Sequence, residues 1–397
     1  MCRQRTFYLL LVFMILLTQS ACWSSKEIED LSLYTGLALD QGEPRAVEQE
    51  LEERGGSYHK HNEVTATIQI VPEKKLGNTG KESEMPKALF FNLSETGDSM
   101  FEVFRQFAIR KNRPIIGHHL KVIVISEKLV QQEKIRRLMD FVLRDNDIRP
   151  SCLIFLSQGL ASDTLTTTHT EEIPSFRIAE MIRNEFRTSK VMKGITLSNL
   201  DALMYSKQSF VLQNILEARG QVEFSGAGII KGDSGYWIGN LNQQDVESIA
   251  WIKGEVKGGS IKAYDHKNES ITYEIKSAKS KITVKETDHE KFSFHVAIES
   301  TGRLIENWDE EELSSEAANH KELERVFEER LTQMINSLIH KMKSTYKVEV
   351  AGFGDWLRIE EPHVWKKIKD HWDEEFIRIP VTFDVKLKIT DFGSFTE

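Results

Sequence analysis

The spacing of apolar residues changes period several times along the chain, and each period predicts an element. Val64-Thr65-Ala66-Thr67-Ile68-Gln69-Ile70-Val71 alternates and is β-branched, which predicts a strand. From 98 to 108, Met100, Phe101, Val103, Phe104, Phe107 and Ala108 recur at helical spacing. A strand at 119–125, a helix at 127–144 and a strand around Cys152 follow, and a further strand is expected at 33–39. Two βα-type repeats in succession predict a sheet with helices packed on it. Ile178-Ala179-Glu180-Met181-Ile182-Arg183 begins another helix, and 197–217 reads as the helix that closes this first unit. The polar stretches 40–62 and 72–87 read as loops.

The second half has a different texture. From 221 to 261 glycines punctuate short apolar runs such as Phe224-Ser225-Gly226-Ala227-Gly228-Ile229-Ile230, a pattern of hairpins and tight turns. Strands are expected at 271–284 and 292–304, followed by a very acidic loop at 306–316. Leu323, Phe327, Leu331, Met334, Leu338 and Met342 form one long helical stripe, and Val364, Trp365, Ile368 and Trp372 share one face of a second helix. The last strand, 381–389, alternates cleanly, as a half-buried antiparallel strand does. Together these elements predict an α+β fold of three domains, each a mixed or antiparallel sheet with packed helices. The expected boundaries are 1–21 for a leader, 22–205, 206–268 and 269–397.

The leader is the most specific feature. Arg3 and Arg5 precede an apolar run at 7–17, and Thr18-Gln19-Ser20-Ala21-Cys22 follows. A charged start, about 7–15 apolar residues and small residues before the cut define a secretory signal. The run is too short to span a bilayer, which takes roughly 20 apolar residues. Cys22 directly after Ser20-Ala21 predicts a bacterial lipoprotein, with a diacylglyceryl group on the sulfur and an acyl group on the new N-terminus. Ordinary secretion is the alternative, and Gln19, where an apolar residue is usual, favours it. Ser24 and Glu27 have capping-box spacing, so a short helix is expected within a few residues of Cys22.

Composition narrows the rest. The net charge of −9, or −11 once Arg3 and Arg5 leave, argues against a nucleic-acid partner, which calls for clustered Lys and Arg. It also argues against adhesion to anionic lipid by charge alone. With Cys2 in the leader and Cys22 lipidated, Cys152 has no partner for a disulfide and reads as a small core residue. No catalytic set, cofactor motif or metal motif is present at workable spacing. His59/His61 and His118/His119 lack companions at ligand spacing, and Gly226-x-Gly228 reads as a turn between strands. Trp365 and Trp372 read as core; Trp237 and Trp356, in turn-rich positions, are candidate partner contacts.

Several segments, taken in order, resemble the Ger(x)C family, the lipoprotein C subunits of spore germinant receptors. They are Cys22-Trp23 with the Thr35-Gly36 strand, Gly117-His118-His119-Leu120-Lys121-Val122, Asp140-Phe141-Val142-Leu143-Arg144-Asp145, Phe224-x-Gly226-Ala227-Gly228, and Gly352-Phe353-Gly354 with Trp365-Lys366-Lys367-Ile368-Lys369-x-x-Trp372. The resemblance covers nearly the whole mature chain. It implies three α+β domains and a non-enzymatic subunit without cofactor. It further implies work beside integral-membrane A- and B-type receptor subunits on the outer face of the spore inner membrane, in the response to small nutrients. The competing reading is a solute-binding lipoprotein or a cell-envelope enzyme.

Overall fold

A computed structural model of the chain describes residues 31–56, 58–72, 88–168, 171–287, 291–308 and 317–391, together with residue 4. The expected leader (apart from residue 4), Cys22 and the short helix expected after it lie outside the described residues, as do 73–87 and most of the acidic loop.

The first half runs β1 (Ser32–Gln41), α1 (Ala46–Leu51), β2 (Val64–Val71), β3 (Phe91–Gly97), α2 (Met100–Ile109), β4 (Ile115–Ile116), β5 (Val122–Ser126), α3 (Glu127–Gln132), α4 (Ile135–Arg144), β6 (Leu153–Ser157), α5 (Pro174–Met181) and α6 (Leu197–Ser206). The second half runs β7 (Phe210–Ala218), β8 (Gln221–Ile230), β9 (Trp237–Leu241), α7 (Gln243–Lys253), β10 (Ser260–Tyr264), β11 (Ser270–Thr287), β12 (Lys291–Asn307), α8 (Ala317–His340), α9 (Phe353–Glu360), α10 (Pro362–Ile368), α11 (Trp372–Arg378) and β13 (Val381–Asp391). The mixture of helices with two mixed sheets is α+β.

Among the described residues the first sheet has the order β3-β2-β1-β5-β6-β7-β8-β9, with β4 beside β1. Its centre, β1-β5-β6-β7, is parallel, and both flanks are antiparallel. Parallel strands are covered on both faces, so they read as continuous apolar runs. In β5, Ile123 and Ile125 enter the core beneath α2, α4 and α6, while Val122 and Val124 face the opposite core beside α5.

The second sheet has the order β10-β11-β12-β13, and α8 packs Phe327, Leu331, Ile335 and Leu338 against it. Trp365 and Trp372 are buried in the same core, 5.4 Å apart between ring centroids.

Several expectations need correction. The helix expected at 197–217 ends at Ser206, where Lys207 turns left-handed (φ 58°), and the rest is β7. β7 meets β8 through Arg219 and Gly220, both at positive φ, a two-residue hairpin turn that favours Gly. The helix expected at 127–144 breaks into α3 and α4 at the extended residues Glu133 and Lys134. The loop expected at 40–62 contains α1. The final strand is not antiparallel: β13 pairs parallel to β12, because the chain returns through the helices α8 to α11 and not through a hairpin. Gly226-x-Gly228 lies inside β8. Gly226 has φ 70°, and an added Cβ there would stand 2.0 Å from the Leu241 carbonyl oxygen, so a bulge and not a turn explains this glycine.

Helix α7 has no counterpart among the sequence-based expectations. Asn242 and Asp245 cap its start reciprocally, each side chain accepting from the other's backbone N–H at 3.0 and 2.9 Å. Every residue from Asp245 to Ile252 is buried, because α7 lies between β8 of the first sheet and β11 of the second. Its buried carboxylates are matched from afar: Lys341 lies 2.6 Å from Asp245, and Ser189 donates to Glu247 at 3.2 Å. Val211, Ala227, Ile229 and Leu241 of the first sheet share one apolar core with the second sheet. Residues 206–268 therefore build the seam between the two sheets.

Candidate functional site

Helix α2 carries too many large apolar side chains for one buried stripe. Val103 and Phe107 are buried in the core, while Phe104 is half-buried and Phe101 is 50% exposed. The outward pair faces α4, whose Ile135, Leu138, Met139 and Val142 point inward and leave Phe141 half-buried. Phe104 lies tilted at 5.1 Å from Phe141 and 5.5 Å from the buried Tyr34, and Phe101 lies 6.3 Å from Phe141. The result is a groove of about 1170 Å³ with an aromatic floor.

Charges rim the groove, and five of them pair among themselves. Arg137 bridges Glu133, at 2.8 Å, and Glu63, while Arg144 holds Asp140 at 3.0 Å. The Arg105 guanidinium covers the Phe101 ring at 4.6 Å. An apolar floor within a charged rim suits an apolar helix or segment of a partner. Pro114 and Ile115 line the same groove, and the Ser32 N–H donates to the Pro114 carbonyl at 2.8 Å. The start of β1, just after the N-terminal segment, thus lies at the groove's edge.

A buried ion cluster braces the neighbouring sheet edge. Lys60 Nζ lies 2.5 Å from Glu48, 2.7 Å from Glu52 and 3.2 Å from Glu95, and Arg110 pairs with Glu95 on its other side. Glu48 also accepts from the Thr96 N–H at 2.9 Å and the Thr96 hydroxyl at 3.0 Å. Burial works against the Lys60 charge, but Glu48 and Glu52 outweigh it and hold the ammonium protonated. Lys60, in the middle of a polar His-Lys-His loop, is thus a structural centre, while its neighbours His59 and His61 are exposed.

Burial raises the carboxyls of Glu95, Glu127, Glu247, Glu349 and Asp373 above their usual range; beside Glu95 the Glu48 charge adds to it. A raised carboxyl binds its proton more readily in the folded state, so this contribution to stability is complete below the unfolded range, about 4. It is lost as pH rises through the raised values. Thermal unfolding followed from pH 5 to pH 8 is expected to show a falling Tm; a flat or rising profile would contradict it.

The other sequence-predicted residues are placed as follows. Trp237, on β9, is half-buried, and its indole N–H donates to Asn240 at 3.3 Å. Asn240 also meets Asn214 at 2.9 Å and Glu127 at 2.8 Å, and Tyr346 from the second half donates to its carbonyl at 2.7 Å. Trp356, on α9, is half-buried at a cavity of about 180 Å³ beside the exposed Ile359. His118 lies 3.7 Å from Asp147, and burial lowers His119. Among the described residues, no group of three or more His, Cys, Asp or Glu could hold a metal. Cys152 is buried, which pushes its thiol up to about 12 and leaves little thiolate at neutral pH. No helix among the described residues is long and apolar enough to cross a membrane. The groove escaped sequence reading, although the width of the apolar arc on α2 was its visible signal.

Comparison with known proteins covers both halves. Residues 24–216 match the family described as spore germination protein N-terminal domain, and residues 225–393 match spore germination B3/GerAC like, C-terminal. Spore germination protein YndF of Bacillus subtilis (strain 168) is 39% identical over 394 residues, covering 97% of this chain and 96% of that protein. Spore germination protein B3 of the same organism is 27% identical over 386 residues, covering 96% and 97%. The crystal structure of the GerBC protein shares the fold, with a TM-score of 0.61 at 24% identity, covering 92% of this chain and 100% of that one.

Proposed function

Because the chain belongs to the Ger(x)C family of spore germination proteins, we propose that it is the lipid-anchored, non-enzymatic C subunit of a nutrient germinant receptor. The observation that carries this reading is the match to YndF along nearly the whole of both chains. In it, Cys22 carries S-diacylglycerol and N-acyl chains and holds the protein on the outer face of the spore inner membrane. Two or more acyl chains anchor durably where one is marginal. From Cys22 to Leu31 the chain reaches at most about 30 Å, so the groove at the start of β1 stays near the lipid. There it receives an apolar segment of an integral-membrane A- or B-type subunit, and Trp356 with Ile359 offers a further contact. The units 22–205 and 269–397 flank 206–268, which acts as the joint between them.

Spores lacking the gene are expected to respond slowly or not at all to at least one nutrient of a panel, while a non-nutrient trigger still works. Complementation with Cys22→Ala should shift the protein to the soluble fraction and lower the response. Phe101→Glu should stay at the membrane with unchanged Tm and still lower it. Normal nutrient responses after deletion, in a strain without other receptors of this kind, would overturn the reading.

A further inference from the structure

The outer face of the second sheet carries a bank of lysines on which nothing is packed among the described residues. Along β11, Ile271, Tyr273 and Ile275 turn into the core. A register shift between Ile275 and Ser277 then changes the parity of the strand. Both Lys276 and Ser277 are exposed as a result, and Lys279, Lys281 and Lys285 follow on the outer face. On β13 the exposed Lys386 and Lys388 alternate with the buried Leu387 and Ile389. Strand register sets these cations in rows: Lys279, Glu299 and Lys386 in one, Ser277, Thr301 and Lys388 in the next.

Four carboxylates share this region, one of them, Glu274, paired with Arg303 in the row that ends at Asp391. Asp391 lies 2.9 Å from Lys276, Asp384 lies 3.2 Å from Lys386, and Glu299 stands between Lys279 and Lys386. Lys279, Lys281, Lys285 and Lys388 form no ion pair among the described residues. Neighbouring strands lie about 4.8 Å apart, and alternate residues on one strand about 6.8 Å apart. Like charges at such spacing repel, and among the described residues Lys279, Lys281, Lys285 and Lys388 are all exposed. The intervening Ser277, Ala297 and Thr301 are small, so the long lysines set the plane of the face.

We propose that this face docks on anionic phospholipid headgroups. The proposal rests on the reading of the protein as resident at a membrane surface. An array of ammonium groups about 7–10 Å apart complements a layer of headgroup phosphates, and each lysine near such a surface strengthens binding about fivefold. The net charge of −9 conceals the site, because its sign belongs to the whole chain and the lysines are segregated on one sheet. Acyl chains at Cys22 would then fix the N-terminal end, and the lysine face would set the orientation of the second half.

The test uses the mature chain with Cys22→Ala, free of acyl chains, sedimented with vesicles of phosphatidylglycerol and phosphatidylcholine or of phosphatidylcholine alone. Binding is expected only to the anionic vesicles and should weaken as salt rises. Lys279, Lys281, Lys285 and Lys388, all changed to Gln, should weaken it at least ~100-fold with unchanged Tm. If that variant unfolds, Lys279→Gln with Lys388→Gln should still weaken binding ~25-fold. No binding to anionic vesicles, equal binding to both kinds, or equal binding by the variants would overturn the proposal. Binding to polyglutamate but not to the vesicles would assign the face to an acidic protein segment and overturn the lipid. If deletion of the gene blocks nutrient responses while vesicles fail to bind, the receptor role stands and this face alone is refuted.

Discussion

Replacing Lys60 with Met is expected to lower stability by about 3–5 kcal/mol, the usual cost of removing one partner from a buried ion pair. Lys60 is 6% exposed, and the Glu48 and Glu95 beside it are 1% and 3% exposed. Methionine fills the space of the stem but leaves carboxylates facing one another without the cation between them. Glu48 keeps its bonds to Thr96, and Glu95 keeps Arg110, so the cluster loses its centre and not all of its support. Urea unfolding measures the loss. His59→Ala and His61→Ala, on either side and exposed, should stay within about 0.5 kcal/mol. The loss should be smaller at pH 5 than at pH 8, because Glu95 already takes up a proton more readily than a free carboxyl. A loss below about 1 kcal/mol at pH 8 would show that water or a proton replaces the ammonium without cost.

Glu349→Ala is expected to cost a similar amount, about 3–5 kcal/mol, in the other half of the molecule. The Glu349 carboxylate accepts from the Ala351 N–H at 2.5 Å, the Gly354 N–H at 3.0 Å and the Trp372 indole N–H at 3.0 Å. It thereby satisfies the first turn of α9 and ties it to α11. Alanine strands three buried donors at once. Glu349→Gln keeps one accepting oxygen and should lose roughly half as much. The consequences reach the seam, because the Glu349 N–H donates to Asp373, which also accepts from Ser209 at 2.6 Å. Ser209 in turn accepts from the Gly232 N–H at 3.1 Å. Unfolding curves give the energy, and the near-ultraviolet signal of Trp372 reports the local change. Unchanged stability in the alanine variant would mean that α9 is capped by something other than Glu349.

The two carboxylate centres show where sequence reading stops. Lys60 was visible only as the middle of a polar His-Lys-His loop, and its partners Glu48 and Glu95 belong to α1 and β3. Nothing in the local pattern marks a lysine for burial; only the meeting of those elements does. The groove was half legible, since the excess of Phe on α2 could be seen, but Phe141 had to arrive on α4 to make a floor. Helix α7 was hidden for the opposite reason. A helix buried on all sides has no polar face, so the periodic signal vanishes, and its acidic residues are answered by Lys341 and Ser189 far along the chain.

By itself the sequence determined what neighbouring residues decide among themselves. Strict alternation made β2 and β13 strands, and the repeat of Phe327, Leu331 and Leu338 made α8 a helix, because a strand and a helix each impose their own period on the chain. The charged and apolar stretch before Cys22, and the order of motifs that resembles the germination family, are equally local signals. Tertiary structure alone decided the direction of β13, the burial of Lys60 and Glu349, and the bank of lysines on one face of β11 and β13. Those outcomes depend on which elements meet and in what register. A single register shift in β11 changes which side chains face water, and periodicity within one strand carries no record of its partner's register.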